Sequence, residues 1–150
     1  MNYVKTQTMR TWETAMKRDY LILTNNPLVV KVLSRFYKIQ FEETATYRDI
    51  LVKARDMVYA GHELFTHPLS GSVKPNETPY RSVVVSQSPR EFNEEFADII
   101  ANAITVFDKF KPIGWELNER ILKDFQLIDY TLLSGAINFD AEAGLSNKRN

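Results

Sequence analysis

The chain has 150 residues, a length typical of one domain whose hydrophobic core needs no disulfide or metal to hold it together. Its 19 basic and 19 acidic residues balance, so no overall positive charge attracts nucleic acid, and the absence of cysteine excludes disulfides and a cysteine nucleophile. It has no apolar run near the roughly 20 residues of a membrane span and no apolar signal core at the N-terminus, so we expect a cytoplasmic protein. We predict a single domain over 1–150, with loose ends at 1–10 and 141–150.

A short helix is predicted over 9–19, followed by a buried strand over 20–23 and a helix that begins at Pro27. Asn26 is a favourable N-cap residue, and Pro27 suits the first helical position because its φ is fixed and its missing N–H has no partner there. A second strand is predicted over 38–42, where apolar and polar residues alternate.

The next predicted helix begins after Thr46, a favourable N-cap residue, and ends at Gly61. A third strand is predicted over 62–66. A fourth, over 82–86, contains the continuous β-branched run of a buried strand.

Two amphipathic helices are predicted after the fourth strand, the first ending near Phe110 and the second near Gly135. Strands alternating with helices indicate α/β layers. We therefore predict a three-layer, Rossmann-like or flavodoxin-like domain with a mainly parallel four-stranded sheet and two C-terminal helices. The direction of strand 62–66 relative to 82–86 stays open, because the connection is long enough for either pairing. A parallel pairing would bring 86–88 to the site, and an antiparallel one would remove them from it.

Ligands of open α/β sheets bind at the carboxyl ends of the strands, and Thr24, Asn25 and Asn26 follow the first strand. Their side chains and the free N–H groups of the next helix suit an anion or a carbonyl oxygen. Plain helix capping explains the same residues, and there is no glycine-rich phosphate loop.

The second candidate site is the segment 66–81, which we call the long loop. Irregular connections of this length are uncommon in compact domains and tend to be functional or disordered. Pro68, Pro75 and Pro79 restrict its backbone, and Gly71 adds freedom at one point, so we expect a shaped loop. Its candidate ligand-binding residues are Thr66, His67, Ser70, Ser72, Lys74, Asn76, Glu77, Thr78 and Arg81. They suit a phosphate or carboxylate, and turn hydrogen bonds beside a solvated lysine are the structural alternative.

His67 is the one candidate for acid or base catalysis, because a histidine titrates near neutral pH. A structural hydrogen bond is the alternative for it, and we expect His62 to be structural. The two histidines fall on opposite faces of the predicted strand, and no further ligand has a recognisable spacing, so neither a metal site nor a cofactor is predicted.

Two segments of the chain resemble the GrdX family: LILTNNPLV (21–29) and ARDMVYAGHELFTHPLSGSVKPNETPYRSVVVS (54–86). Members of this family are small proteins associated with the glycine reductase systems of amino-acid-fermenting anaerobes. The resemblance implies a cytoplasmic accessory role beside a reductase that acts on glycine, sarcosine or betaine. It supplies no catalytic residues.

Two hypotheses for function follow. In the first, the chain is a non-catalytic accessory or binding protein whose long loop holds a small anionic metabolite or docks onto a component of the reductase complex. In the second, it is a small enzyme that uses His67 as acid or base, with Lys74 and Arg81 binding a phosphate or carboxylate substrate.

Overall fold

The computed structural model describes residues 19–69, 71, 74–111 and 118–139. The strands are β1 (Tyr20–Thr24), β2 (Lys38–Phe41) and β3 (Ser82–Ser86). The helices are α1 (Pro27–Leu33), α2 (Tyr47–Tyr59), α3 (Glu94–Asp108) and α4 (Glu119–Ala136), and a single 3₁₀ turn covers Pro75–Glu77. The predicted loose ends, 1–10 and 141–150, lie outside the described residues, and so does the predicted helix over 9–19 except for its last residue.

The strands form one mixed sheet in the order β2-β1-β3. β2 is parallel to β1, with Ile39 opposite Ile22, and β3 is antiparallel to β1, with Val84 opposite Ile22. The α/β class is confirmed. The mainly parallel four-stranded sheet of a Rossmann-like or flavodoxin-like domain is not confirmed, because the described sheet has three strands and one of its two pairings is antiparallel.

The predicted third strand forms a single antiparallel bridge, between Leu64 and Val85, instead of a ladder. The Phe65 N–H donates to the Val84 carbonyl at 2.9 Å, but the Val84 N–H donates to the Thr66 hydroxyl at 3.0 Å. The hydroxyl of Thr66 thus takes the place of the backbone carbonyl that would accept this N–H in a continued ladder, and the strand pairing ends there. The bridge also answers the question of direction, because this segment runs antiparallel to β3.

Helices cover both faces of the sheet, which gives three layers. α2 and α3 pack on the face that presents Leu23, Val83 and Val85. α1 and α4 pack on the opposite face, which presents Ile22 and Val84. Because successive strand residues point to opposite faces, a strand buried on both sides is apolar throughout. The three layers and the two C-terminal helices agree with the prediction.

Helix ends follow the signals in the sequence. Asn26 caps α1, and Thr46 forms a capping box with Asp49 at the start of α2. Gly61 follows α2 with φ +109°, where a Cβ atom would lie 2.0 Å from the carbonyl oxygen of Arg90. Glycine is therefore required at this close approach. No helix in the described part of the chain is long and apolar enough to span a membrane.

Candidate functional site

Buried polar side chains collect where the end of β1 meets the start of β3. We call six of them the polar cluster: Thr24, Asn25, Asn26, Arg81, Ser82 and Asp129. The antiparallel pairing places Ser82 opposite Thr24, and α4 supplies Asp129 from the adjacent layer. Buried polar groups are tolerated when they are hydrogen-bonded, so the partners of each side chain decide what the cluster can do.

Asp129 is the central acceptor of the polar cluster and is 4% exposed. Its Oδ1 accepts the Ser82 N–H at 3.1 Å. Its Oδ2 accepts the Ser82 hydroxyl at 2.7 Å and the Asn26 amide at 3.0 Å. The Thr24 hydroxyl lies 2.7 Å from the Ser82 hydroxyl. Asp129 therefore satisfies an N–H at the outer edge of β3 that a further strand would otherwise satisfy.

Burial raises the pKa of Asp129, because the charged carboxylate loses its hydration. Hydrogen bonds from Asn26 and Ser82, together with the positive charge of Arg81, act in the opposite direction without cancelling the effect. The charged form of Asp129 is thus disfavoured in the folded state, and the stability of the fold is linked to its protonation.

Arg81 connects the polar cluster to the long loop. Arg81 is buried, with 6% of its surface exposed. Its Nη2 donates a hydrogen bond to the His67 carbonyl at 2.8 Å. Its backbone N–H donates to Asn25 Oδ1 at 2.9 Å. Its guanidinium lies over the Tyr47 ring, 5.9 Å from the centroid, within cation–π range. Asn25 in turn donates to the Pro79 carbonyl at 2.9 Å. Both ends of the long loop are therefore tied to the cluster.

Two small cavities border Arg81 and Asp129. The first, about 20 Å³, is also lined by Thr66, and the second, about 10 Å³, by Tyr47 and Tyr80. Each has room for about one water molecule. Among the described residues, no group of three or more His, Cys, Asp or Glu side chains is placed to hold a metal ion.

Comparison with known families agrees with the resemblance found in segments 21–29 and 54–86. The family model described as GrdX-like protein matches residues 21–138. The chain belongs to the GrdX-like protein family. The matched residues of this GrdX-like chain include all four helices and the whole polar cluster. No curated protein and no solved structure matches it.

The predicted ligand residues at the end of β1 have internal partners in this GrdX-like chain. Asn26 Oδ1 accepts the Leu28 N–H at 3.0 Å, and the Asn26 amide donates to the Gln126 carbonyl at 2.8 Å as well as to Asp129. The Thr24 hydroxyl accepts the Asn26 N–H at 2.9 Å. These contacts favour the helix-capping interpretation of the segment over anion binding.

His67 and Lys74 are exposed on the long loop, whereas Arg81 is buried. The His67 Nδ1 accepts the Leu69 N–H at 3.1 Å, so the ring closes a local turn. Arg81 contacts the backbone of His67 rather than its ring. The arrangement gives Arg81 a role in holding the loop, which differs from the substrate-binding role predicted for it.

Three other loop residues have hydrogen-bond partners within the chain. Asn76 donates to the Lys111 carbonyl at 2.7 Å, the Glu77 N–H closes the 3₁₀ turn, and the Thr78 hydroxyl accepts the Tyr80 N–H at 3.2 Å. The last two are turn hydrogen bonds, as in the structural alternative, whereas the contact of Asn76 ties the loop to a residue 35 positions further along the chain. They fix the shape of the second half of the long loop.

Ser70 and Ser72 lie outside the described residues. His62 Nδ1 is 2.6 Å from the Ser86 carbonyl, a structural contact as predicted. Ser86 pairs with Tyr20 at the start of β1, so it lies at the far end of the sheet and drops out of the site together with the two residues after it.

Sequence reasoning missed Asp129, although a signal for it exists. Phe125 and Leu133 lie four residues to either side of it on α4, so an acidic residue occupies the apolar stripe of the helix. Aspartate is almost never fully buried unless it is paired. The pattern therefore indicates a buried polar contact, but it does not name the partner.

Proposed function

We propose that this GrdX-like chain is a cytoplasmic, non-catalytic accessory protein of the glycine reductase system, and that it docks onto a reductase component through the long loop. Its family membership supports the association with that system. The observation that carries the docking role is that hydrogen bonds of the polar cluster hold both ends of the loop. The two cavities beside Arg81 and Asp129 each have room for about one water molecule, which is too small for a substrate.

The first support is the anchoring of the loop. Arg81 holds the carbonyl of His67 near one end, and Asn25 holds the carbonyl of Pro79 near the other. Pro68 and Pro75 are buried, which fixes the backbone at two further points. A loop that is ordered before binding loses less conformational entropy when it meets its partner, so anchoring favours recognition.

The second support is what the anchored loop presents to solvent. Gly71 and Lys74 are exposed between the buried prolines, and His67 is exposed just before Pro68. A lysine on a shaped loop suits a partner surface that carries carboxylates, because opposite charges steer encounter and fix orientation. We therefore assign Lys74 the charged contact of the proposed interface.

Binding to purified glycine reductase components, measured by biolayer interferometry, tests the proposal. We expect one component to bind the wild-type chain and Lys74→Glu to weaken that binding about tenfold or more, since an attractive charge contact becomes repulsive. Lys31→Glu makes the same charge reversal at an exposed position of α1 and serves as the matched control. It should change the affinity less than twofold.

A second variant tests the anchoring. Arg81→Lys keeps the charge and the backbone contact with Asn25 but removes the planar guanidinium that reaches the His67 carbonyl. We expect faster hydrogen exchange of the loop amides and weaker binding to the same component. Unchanged exchange in this variant would contradict the anchoring role of Arg81.

A thermal-shift screen of anionic metabolites separates docking from small-ligand binding. A metabolite that raises the melting temperature of the wild type but not of Lys74→Ala would favour an anion site on the loop. That outcome, with no component bound, would overturn the docking proposal.

A further inference from the structure

The two edges of the sheet differ in how their backbone groups are satisfied. On β3, the outward N–H groups of Ser82, Val84 and Ser86 each donate to an acceptor beyond the sheet. On β2, no described strand pairs with the outer edge. Such an edge presents N–H and C=O groups that can pair with a further strand.

The groups that face outward on β2 follow from its pairing with β1. The Glu42 N–H donates to the Thr24 carbonyl at 2.9 Å, so residue 42 faces β1. Successive residues of a strand turn their backbone groups to opposite sides, so the N–H and C=O groups of Ile39 and Phe41 point away from β1. Two residues are therefore positioned to hydrogen-bond a new strand.

We propose that the outer edge of β2 pairs with β2 of a second copy of this chain, antiparallel and around a two-fold axis at Gln40. In this register Ile39 lies opposite Phe41 of the other copy, and the outward backbone groups of both meet as hydrogen-bonded pairs. The interface uses the same surface on each copy, as a two-fold dimer requires. It joins the two sheets into one.

The charges of Lys38 on β2 and of Glu42, the residue that follows β2, select this register. Lys38 of each copy lies opposite Glu42 of the other, so the two-fold axis generates two such pairs. Both occupy non-hydrogen-bonded positions, where cross-strand side chains come closest. A lysine on an edge strand ordinarily discourages pairing. A parallel, in-register pairing would place Lys38 beside Lys38 and Glu42 beside Glu42. The antiparallel register around Gln40 instead pairs every charge with its opposite.

The two faces of the strand also match. Ile39 and Phe41 share one face, and Phe41 is 37% exposed, so each copy covers apolar surface of the other. Lys38, Gln40 and Glu42 share the opposite face, on the side where Lys53 of α2 forms an ion pair with Glu42. That ion pair holds the Glu42 side chain at the edge of the sheet.

Sedimentation equilibrium of the full chain tests the dimer through a charge exchange. The wild type should show a concentration-dependent dimer. Lys38→Glu and Glu42→Lys should each raise the dissociation constant about tenfold or more, because both cross-strand pairs become repulsive. An equimolar mixture of the two variants should form dimers again, since each cross-strand pair joins opposite charges. The double variant K38E/E42K should form dimers without a second variant, for the same reason.

Controls keep the test specific. Lys31→Glu should dimerise like the wild type, and thermal unfolding should show that each variant is folded, because Glu42→Lys also loses the contact with Lys53. A wild type that stays monomeric at about 100 µM would overturn the proposal. The pairing of the two β2 edges would also be overturned if the wild type formed a dimer and none of the charge changes weakened it. The experiment needs no reductase component, so its outcome is independent of the proposed docking function.

Discussion

Replacing Asp129 by alanine tests whether the polar cluster holds the fold as described. The substitution removes the acceptor for the Ser82 N–H, the Ser82 hydroxyl and one N–H of Asn26. The Ser82 hydroxyl keeps a partner in the Thr24 hydroxyl, 2.7 Å away. Two buried donors, the Ser82 N–H and one Asn26 N–H, are thus left without an acceptor.

The cost follows from those two donors. A buried donor left unsatisfied costs about 1–3 kcal/mol, so two cost about 2–6 kcal/mol. Water entering the space beside the existing 20 Å³ cavity offsets part of this loss. Removing a carboxylate whose charge is disfavoured by burial offsets more. We therefore expect a decrease of about 2–4 kcal/mol in the free energy of unfolding.

Urea denaturation of the wild type and of Asp129→Ala measures this difference. Asp124→Ala is the matched control, because Asp124 lies on the same helix and is exposed. It should change the stability by no more than about 0.5 kcal/mol. A loss below about 1 kcal/mol for Asp129→Ala, or a loss equal to that of the control, would refute the role assigned to Asp129.

Three further predictions use the same denaturation assay. Because the folded pKa of Asp129 lies above the ordinary value of 3.8, the part of its stabilisation that is linked to protonation is fully present below pH 3.8 and is lost as the pH rises through the folded pKa. The stability of the wild type relative to Asp129→Asn should therefore fall as the pH rises above about 4, and a difference that grew with pH would contradict the direction of the shift. Gly61→Ala should cost more than about 1 kcal/mol, because its Cβ would meet the Arg90 carbonyl at a positive φ, and a neutral result would contradict that close approach. Thr46→Ala should cost about 1 kcal/mol by removing the capping box with Asp49, and an unchanged midpoint would count against the cap.

The parts of the fold that local rules determine could be predicted from the sequence. Asn26, Thr46 and Gly61 mark helix ends because a cap or a positive φ depends on a few neighbouring residues. The buried strands were identifiable from their apolar runs. The family resemblance also came from contiguous residues, and the family model confirms it.

The parts that depend on distant residues could not be predicted. The third strand reduces to one bridge because the hydroxyl of Thr66 takes the place of a backbone acceptor, a choice that periodicity does not reveal. The sheet is mixed because β3 runs antiparallel to β1, and the long connection permitted either direction.

The candidate site shows the same limit. The sequence drew attention to Asn25 and Arg81, and the structure brings them together, but as partners of each other and of the loop backbone. Asp129 enters from a helix 47 residues beyond Ser82, so its role required the tertiary structure. Whether the residues of the long loop bind a ligand stays a prediction.

Docking through the long loop is tested most directly by titrating each glycine reductase component with the wild-type chain, Lys74→Glu and Lys31→Glu. We expect one component to bind the wild type and the Lys31 variant with equal affinity and to bind the Lys74 variant at least about tenfold more weakly. Equal affinities for all three proteins, or no binding by any component, would contradict it.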